Sequence, residues 1–149
     1  MYALAIAMLG AMLVAWQTAV IAPSQVDART RTAADVAAAS FWAYQEALAA
    51  YVTANPSASG TIADASLAFP PGYIRNAAWT NVVAGGTLYT YSRANLPPAS
   101  IDAIANRGGR TLVIGIAQAG GTMTSLTGGA AGFAIPASIP AGALVVIGG

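Results

Sequence analysis

The chain has 149 residues, a formal net charge of +1 with 7% charged side chains, and neither His nor Cys. So weak a charge leaves no electrostatic footprint for nucleic acid or an acidic substrate. Without His, Cys or Lys there is no common zinc site, no Ser-His-Asp or Ser-Lys grouping, no cysteine nucleophile and no phosphate-loop lysine, and the fold must hold without disulfides.

The segment 1–22 carries no charged side chain. At about 1.5 Å rise per residue, roughly twenty apolar helical residues cross the hydrocarbon core of a bilayer. A cleavable secretory signal would need a basic start and an apolar centre of about 7 to 15 residues. Here no Lys or Arg precedes Asp27, and the apolar run continues through Val14, Val20 and Ile21. A buried core helix is the other reading, but such a helix rarely stays free of charge for so long. The expectation is a transmembrane anchor over 1–22, with Tyr2 and Trp16 at its two interfacial ends and Pro23 at its boundary. Arg29 and Arg31 follow the span, but Asp27 and Asp35 stand among them, so charge does not set the orientation.

Residues 23–55 read as an amphipathic helix. Ser24 and Asp27 have the spacing of a capping pair, and Ala37, Phe41, Tyr44, Leu48 and Tyr51 recur at intervals of four and three on one face. Asn55 before Pro56 supplies the stop. Phe41, Tyr44, Leu48 and Tyr51 are the expected contacts of this helix with a sheet.

Beyond Pro56 the punctuation becomes that of a β-rich region, 56–149. Loops are expected at 55–60 and at Pro70-Pro71-Gly72, a strand at 87–92 with Leu88, Tyr89 and Tyr91, and a short helix at 99–106 after Pro97-Pro98. Ile101 and Ile104 should face inward on that helix, with Gly108-Gly109 ending it. Thr111 to Gln118 alternates as a strand, and Ala119-Gly120-Gly121 turns it back into 122–126 as a hairpin. Phe133 to Ile135 and Ala143 to Ile147 offer further strands. The fold class is α+β: an N-terminal transmembrane helix and a long amphipathic helix packed on a mostly antiparallel β-sheet.

Catalysis would fall to the five carboxylates, Asp27, Asp35, Glu46, Asp64 and Asp102. A glycosidase needs two of them across a cleft, whereas Glu46 falls on the amphipathic helix and Asp102 in the first turn of the short one, positions natural for solvated or dipole-paired acids. The glycine pairs at 85-86, 108-109, 120-121 and 128-129 lack the G-x-G-x-x-G spacing of a dinucleotide site and read as turns. No enzyme activity, cofactor, metal or small-molecule substrate is expected. Trp79, Tyr73, Tyr89 and Tyr91, with Arg107 and Arg110 around a glycine pair, are candidates for a partner surface, because aromatics and Arg are enriched at interface anchors; core packing would equally account for the aromatics.

The stretch Tyr51-Val52-Thr53-Ala54-Asn55-Pro56 leading to Gly60-Thr61-Ile62-Ala63-Asp64, then Leu67-Ala68-Phe69-Pro70 with Tyr73, and the close Ile135-Pro136-Ala137-Ser138-Ile139-Pro140-Ala141-Gly142-Ala143-Leu144-Val145-Val146 resemble the PilM family of conjugative and type IVb pilus systems. This is the small inner-membrane family, not the actin-like cytoplasmic protein of the same name. The resemblance spans nearly the whole chain, through turn and strand patterns without catalytic content. It implies a single-pass component of the bacterial inner membrane with a periplasmic globular domain, acting as a non-catalytic scaffold of the thin-pilus assembly machine, in the basal body or in pilin transport. Its partners would be other pilus-machine proteins and the lipid bilayer. The alternative is a pilin-like or minor pilin subunit placed in the fibre or priming it. Type IV pilins carry a charged leader ending in Gly and a Glu at the fifth mature position; if Gly10 were the boundary, that position would be Ala15, so an unprocessed N-terminus is expected.

Overall fold

The structure, a computed structural model, describes residues 2–108, 113–126 and 132–148, with side chains described from residue 26 onward. Helix α1 runs over Tyr2–Ala54, 53 residues without interruption. It passes through Pro23, so Ser24 and Asp27 lie inside a helix and cap no N-terminus. The reason is local: the apolar run upstream is itself helical, and a proline removes only one donor from the ladder. By its contacts the chain divides into two units, Met1–Ala33 and Ala34–Gly149. The expected anchor, with Tyr2 and Trp16, lies outside the residues whose side chains are described. Among the described residues no helix is long and apolar enough to cross a membrane.

The second unit is built on a six-stranded antiparallel sheet in the order β1-β2-β6-β3-β4-β5. Its strands are β1 (Trp79–Ala84), β2 (Thr87–Ser92), β3 (Val113–Gln118), β4 (Thr122–Ser125), β5 (Phe133–Ala134) and β6 (Leu144–Ile147), with α2 (Pro98–Arg107) between β2 and β3. A single 3-10 turn stands at Asp64–Ser66. Strand β1 was not legible in the sequence. It forms because Gly85 and Gly86, both at positive φ, make the tight two-residue reversal that returns the chain into β2.

One face of the sheet carries the main core. Phe41, Tyr44 and Leu48 of α1 are buried with Trp79, Val83, Leu88, Ile114, Leu144, Val146 and Ile104 of α2, and Tyr51 packs against them half-buried. Phe41 meets the rings of Trp42 and Trp79 edge-on, at centroid separations of 5.5 and 5.1 Å, the geometry that ring quadrupoles favour. Trp42 Nε1 donates to the Ile104 carbonyl at 3.1 Å and ties α2 to α1. Gly108, where α2 ends, leaves no room for a Cβ, which would fall 2.6 Å from Ile114 Cδ1 and against the Trp42 ring. Helix α1 ends at Ala54, where the Asn55 backbone N–H still reaches the Tyr51 carbonyl at 2.9 Å and Pro56 prevents continuation.

Strand β3 departs from simple alternation. Ile114, Gly115 and Ala117 are all buried, because the segment carrying Ile135 and Ile139 covers part of the opposite face and makes a second cluster with Ala117, Met123 and Val145. The first two positions of the strand expected at 111–118 lie outside the described residues, as does Gly109.

Candidate partner surface

Strand β2 shows how the second face is made. Leu88, Thr90 and Ser92 are buried against the helices, while Thr87, Tyr89 and Tyr91 are half-buried on the other side. The register then lines Val82, Tyr89, Ile147 and Val113 in one row across β1, β2, β6 and β3. All four are partly buried and pack against the second cluster, as does Tyr91 one row along. Among the described residues, the strand positions on this face carry no charge. Such a patch is amphipathic: flat aromatic and aliphatic area, with tyrosine hydroxyls that can take a hydrogen bond at its margin.

The free edge of β1 is closed. Val83 exchanges backbone hydrogen bonds with Gly60, at 2.8 and 2.9 Å. The Asn81 side chain behaves as a peptide group, accepting from Ile62 N at 2.8 Å and donating to the Ile62 carbonyl at 3.0 Å. Its Nδ2 also donates to the Tyr44 hydroxyl at 2.8 Å. Burial pushes the Tyr44 hydroxyl pKa up, opposed by the Asn81 hydrogen bond and the nearby Arg75 charge.

Arg75 fastens the loop between the 3-10 turn and β1. Its guanidinium lies over the Tyr44 ring, 4.4 Å from the centroid, and it bonds Asp64 Oδ2 at 2.6 Å, the Trp79 carbonyl at 2.7 Å and the Asn76 carbonyl. Phe69 stacks on Tyr73 at 4.5 Å. Between these fixed residues Ile74 is 85% exposed, an aliphatic side chain on a loop already ordered around it.

Trp79 requires a correction. It is 1% exposed, wedged against Phe41, with Nε1 donating to Ser40 Oγ at 3.3 Å, and so belongs to the core. Tyr73 is half-buried in the Phe69 stack. Arg107 is exposed in the last turn of α2, and Arg110 lies outside the described residues. Sequence reasoning missed Val82, Val113 and Ile147 as surface residues; the unbroken apolarity of 144–147 was their one signal. Among the described residues there is no group of three or more His, Cys, Asp or Glu placed to hold a metal ion.

A long helix on an antiparallel sheet, whose opposite face is half covered and uncharged, defines a small α+β domain. The chain belongs to the PilM family, whose model matches residues 6–147. Among solved structures it is similar to a PilM protein of Escherichia coli B7A, at 18% identity and a TM-score of 0.61 over 78% of this chain and 92% of that one. It is also similar to a PilM protein of Pseudomonas aeruginosa 2192, at 31% identity and a TM-score of 0.48 over 76% and 92%. No curated protein matches the chain.

Proposed function

We propose that this PilM-family protein is a non-catalytic scaffold of a type IVb or conjugative thin-pilus assembly machine, held in the bacterial inner membrane by residues 1–22 and docking other pilus-machine proteins from the periplasmic side. The observation that carries the docking role is the uncharged row Val82–Tyr89–Ile147–Val113, with Tyr91 beside it, on the face of the sheet away from α1. Patches of this composition mark interaction sites on small proteins. The anchor is supported by the charge-free segment and by the helical backbone that runs through it, since about twenty helical residues span a bilayer core.

A photo-crosslinking residue placed at Tyr89 in cells carrying the pilus system should capture another pilus-machine protein, and one placed at exposed Thr124 on the covered side's periphery should not. Equal capture at both positions, or none at Tyr89, would remove the docking role. Carbonate extraction tests the anchor, with the chain expected in the membrane pellet; protease accessibility in spheroplasts tests the periplasmic placement. Neutral isosteres at Glu46 and Asp102 should leave pilus function unchanged, and a loss would reopen acid chemistry.

The second reading, a pilin-like subunit, is favoured by the charge-free helical segment at the start of α1. Sheared fibres separate the two, for a subunit copurifies with them and a scaffold stays in the membrane fraction.

A further inference from the structure

Helices α1 and α2 leave a cleft of about 500 Å³ between them, lined by Asp35 and Ala38 on α1 and by Ala103, Asn106 and Arg107 on α2. Asp35 and Arg107 bring opposite charges to this one cleft, both exposed. They nevertheless form no ion pair with each other: among the described residues the chain's ion pair is Arg75 with Asp64, and neither Asp35 nor Arg107 has any partner. Ala38 and Ala103 are small, so an approaching surface meets no bulky side chain there.

A patch that carries an unpaired acid and an unpaired base is complementary to itself. When two copies meet about a two-fold axis, every contact occurs twice with the roles exchanged. The acid of one copy then faces the base of the other, and the second charge pair follows by symmetry. A different partner would have to supply both signs at the same separation, which a second copy does automatically. We propose that the α1–α2 cleft is a homodimer interface, with Asp35 of each protomer paired to Arg107 of the other.

Charge reversal tests this directly. The full chain in detergent micelles is measured by sedimentation and by energy transfer between labelled copies. D35R and R107D, each alone, place two like-charge contacts across the axis and should weaken self-association about tenfold or more, as juxtaposed like charges do. Mixing D35R chains with R107D chains restores opposite charges at both contacts, so the mixture should associate as the natural chain does. That rescue distinguishes paired charges from mere damage to the fold, and unchanged far-ultraviolet spectra of the two variants complete the control. A natural chain that stays monomeric, a dimer indifferent to both reversals, or a mixture that fails to associate would each overturn the proposal.

Discussion

The two faces of the sheet are made by the same strands and have opposite fates. On one, Leu88, Ile114, Leu144 and Val146 are sealed beneath α1 and α2; on the other, Val82, Tyr89, Ile147 and Val113 are only half-buried, although the segment around Ile135 and Ile139 covers the neighbouring part. The difference is one of cover, since both sides are apolar and the helices lie on only one of them. A strand buried on both faces reads as continuously apolar, and 144–147 does so here even though one face stays half open. Stability therefore rests on the helix-covered face, and the other stays partly open.

The sharpest way to break that comparison is Phe41→Ala. Its ring is fully buried between two tryptophans, so truncation should cost about 3 to 5 kcal/mol in chemical denaturation of the chain; a loss no larger than at Tyr89 would mean the helix does not carry the core. Gly108→Val comes next. Its side chain would enter the space of Trp42 and Ile114, and overpacking of this kind costs about 1 to 3 kcal/mol, read by the same denaturation curve.

Adjacent residues on β2 should then differ in sign. Tyr89→Ala removes a half-exposed ring and should cost no more than about 1.5 kcal/mol. Thr90→Val should raise stability by about 1 kcal/mol, because the Thr90 hydroxyl is fully buried with no partner among the described residues. A thermal melt of each variant compares the two faces at neighbouring positions.

The smallest effect is pH dependence at the covered face. Tyr44 has its pKa raised from 10.0 in the folded chain, so the unfolded chain releases this proton first. Its contribution is complete below about pH 10 and is lost as pH rises through the higher folded value. Melting temperature should fall more steeply above pH 10 for the natural chain than for Tyr44→Phe; parallel profiles would remove Tyr44 from this account.

Where a pattern is local, the sequence shows it. The stripe of α1, its stop before Pro56, the span of β2 and the course of α2 all follow from spacing or from proline within one element. Strand β1 did not, because Asn81 in its middle looks unfavourable for a strand until Ile62 and Tyr44 arrive from far along the chain. Trp79 was open to two readings for a similar reason: an aromatic residue suits an interface and a core equally, and only the approach of Phe41 decides. The open row was hidden because Val82, Ile147 and Val113 come from three separate segments, and register alone puts them beside Tyr89. Arg107 stood out by its charge, but its relation to Asp35 depends on how α2 lies along α1.

The closure of the β1 edge by Gly60, Ile62 and the Asn81 amide has a consequence for assembly. Bare strand edges recruit almost any extended chain, since main-chain groups are the same in every protein. With that edge shut, β1 offers newcomers no universal socket, and recognition on this flank falls to side chains, which differ from protein to protein.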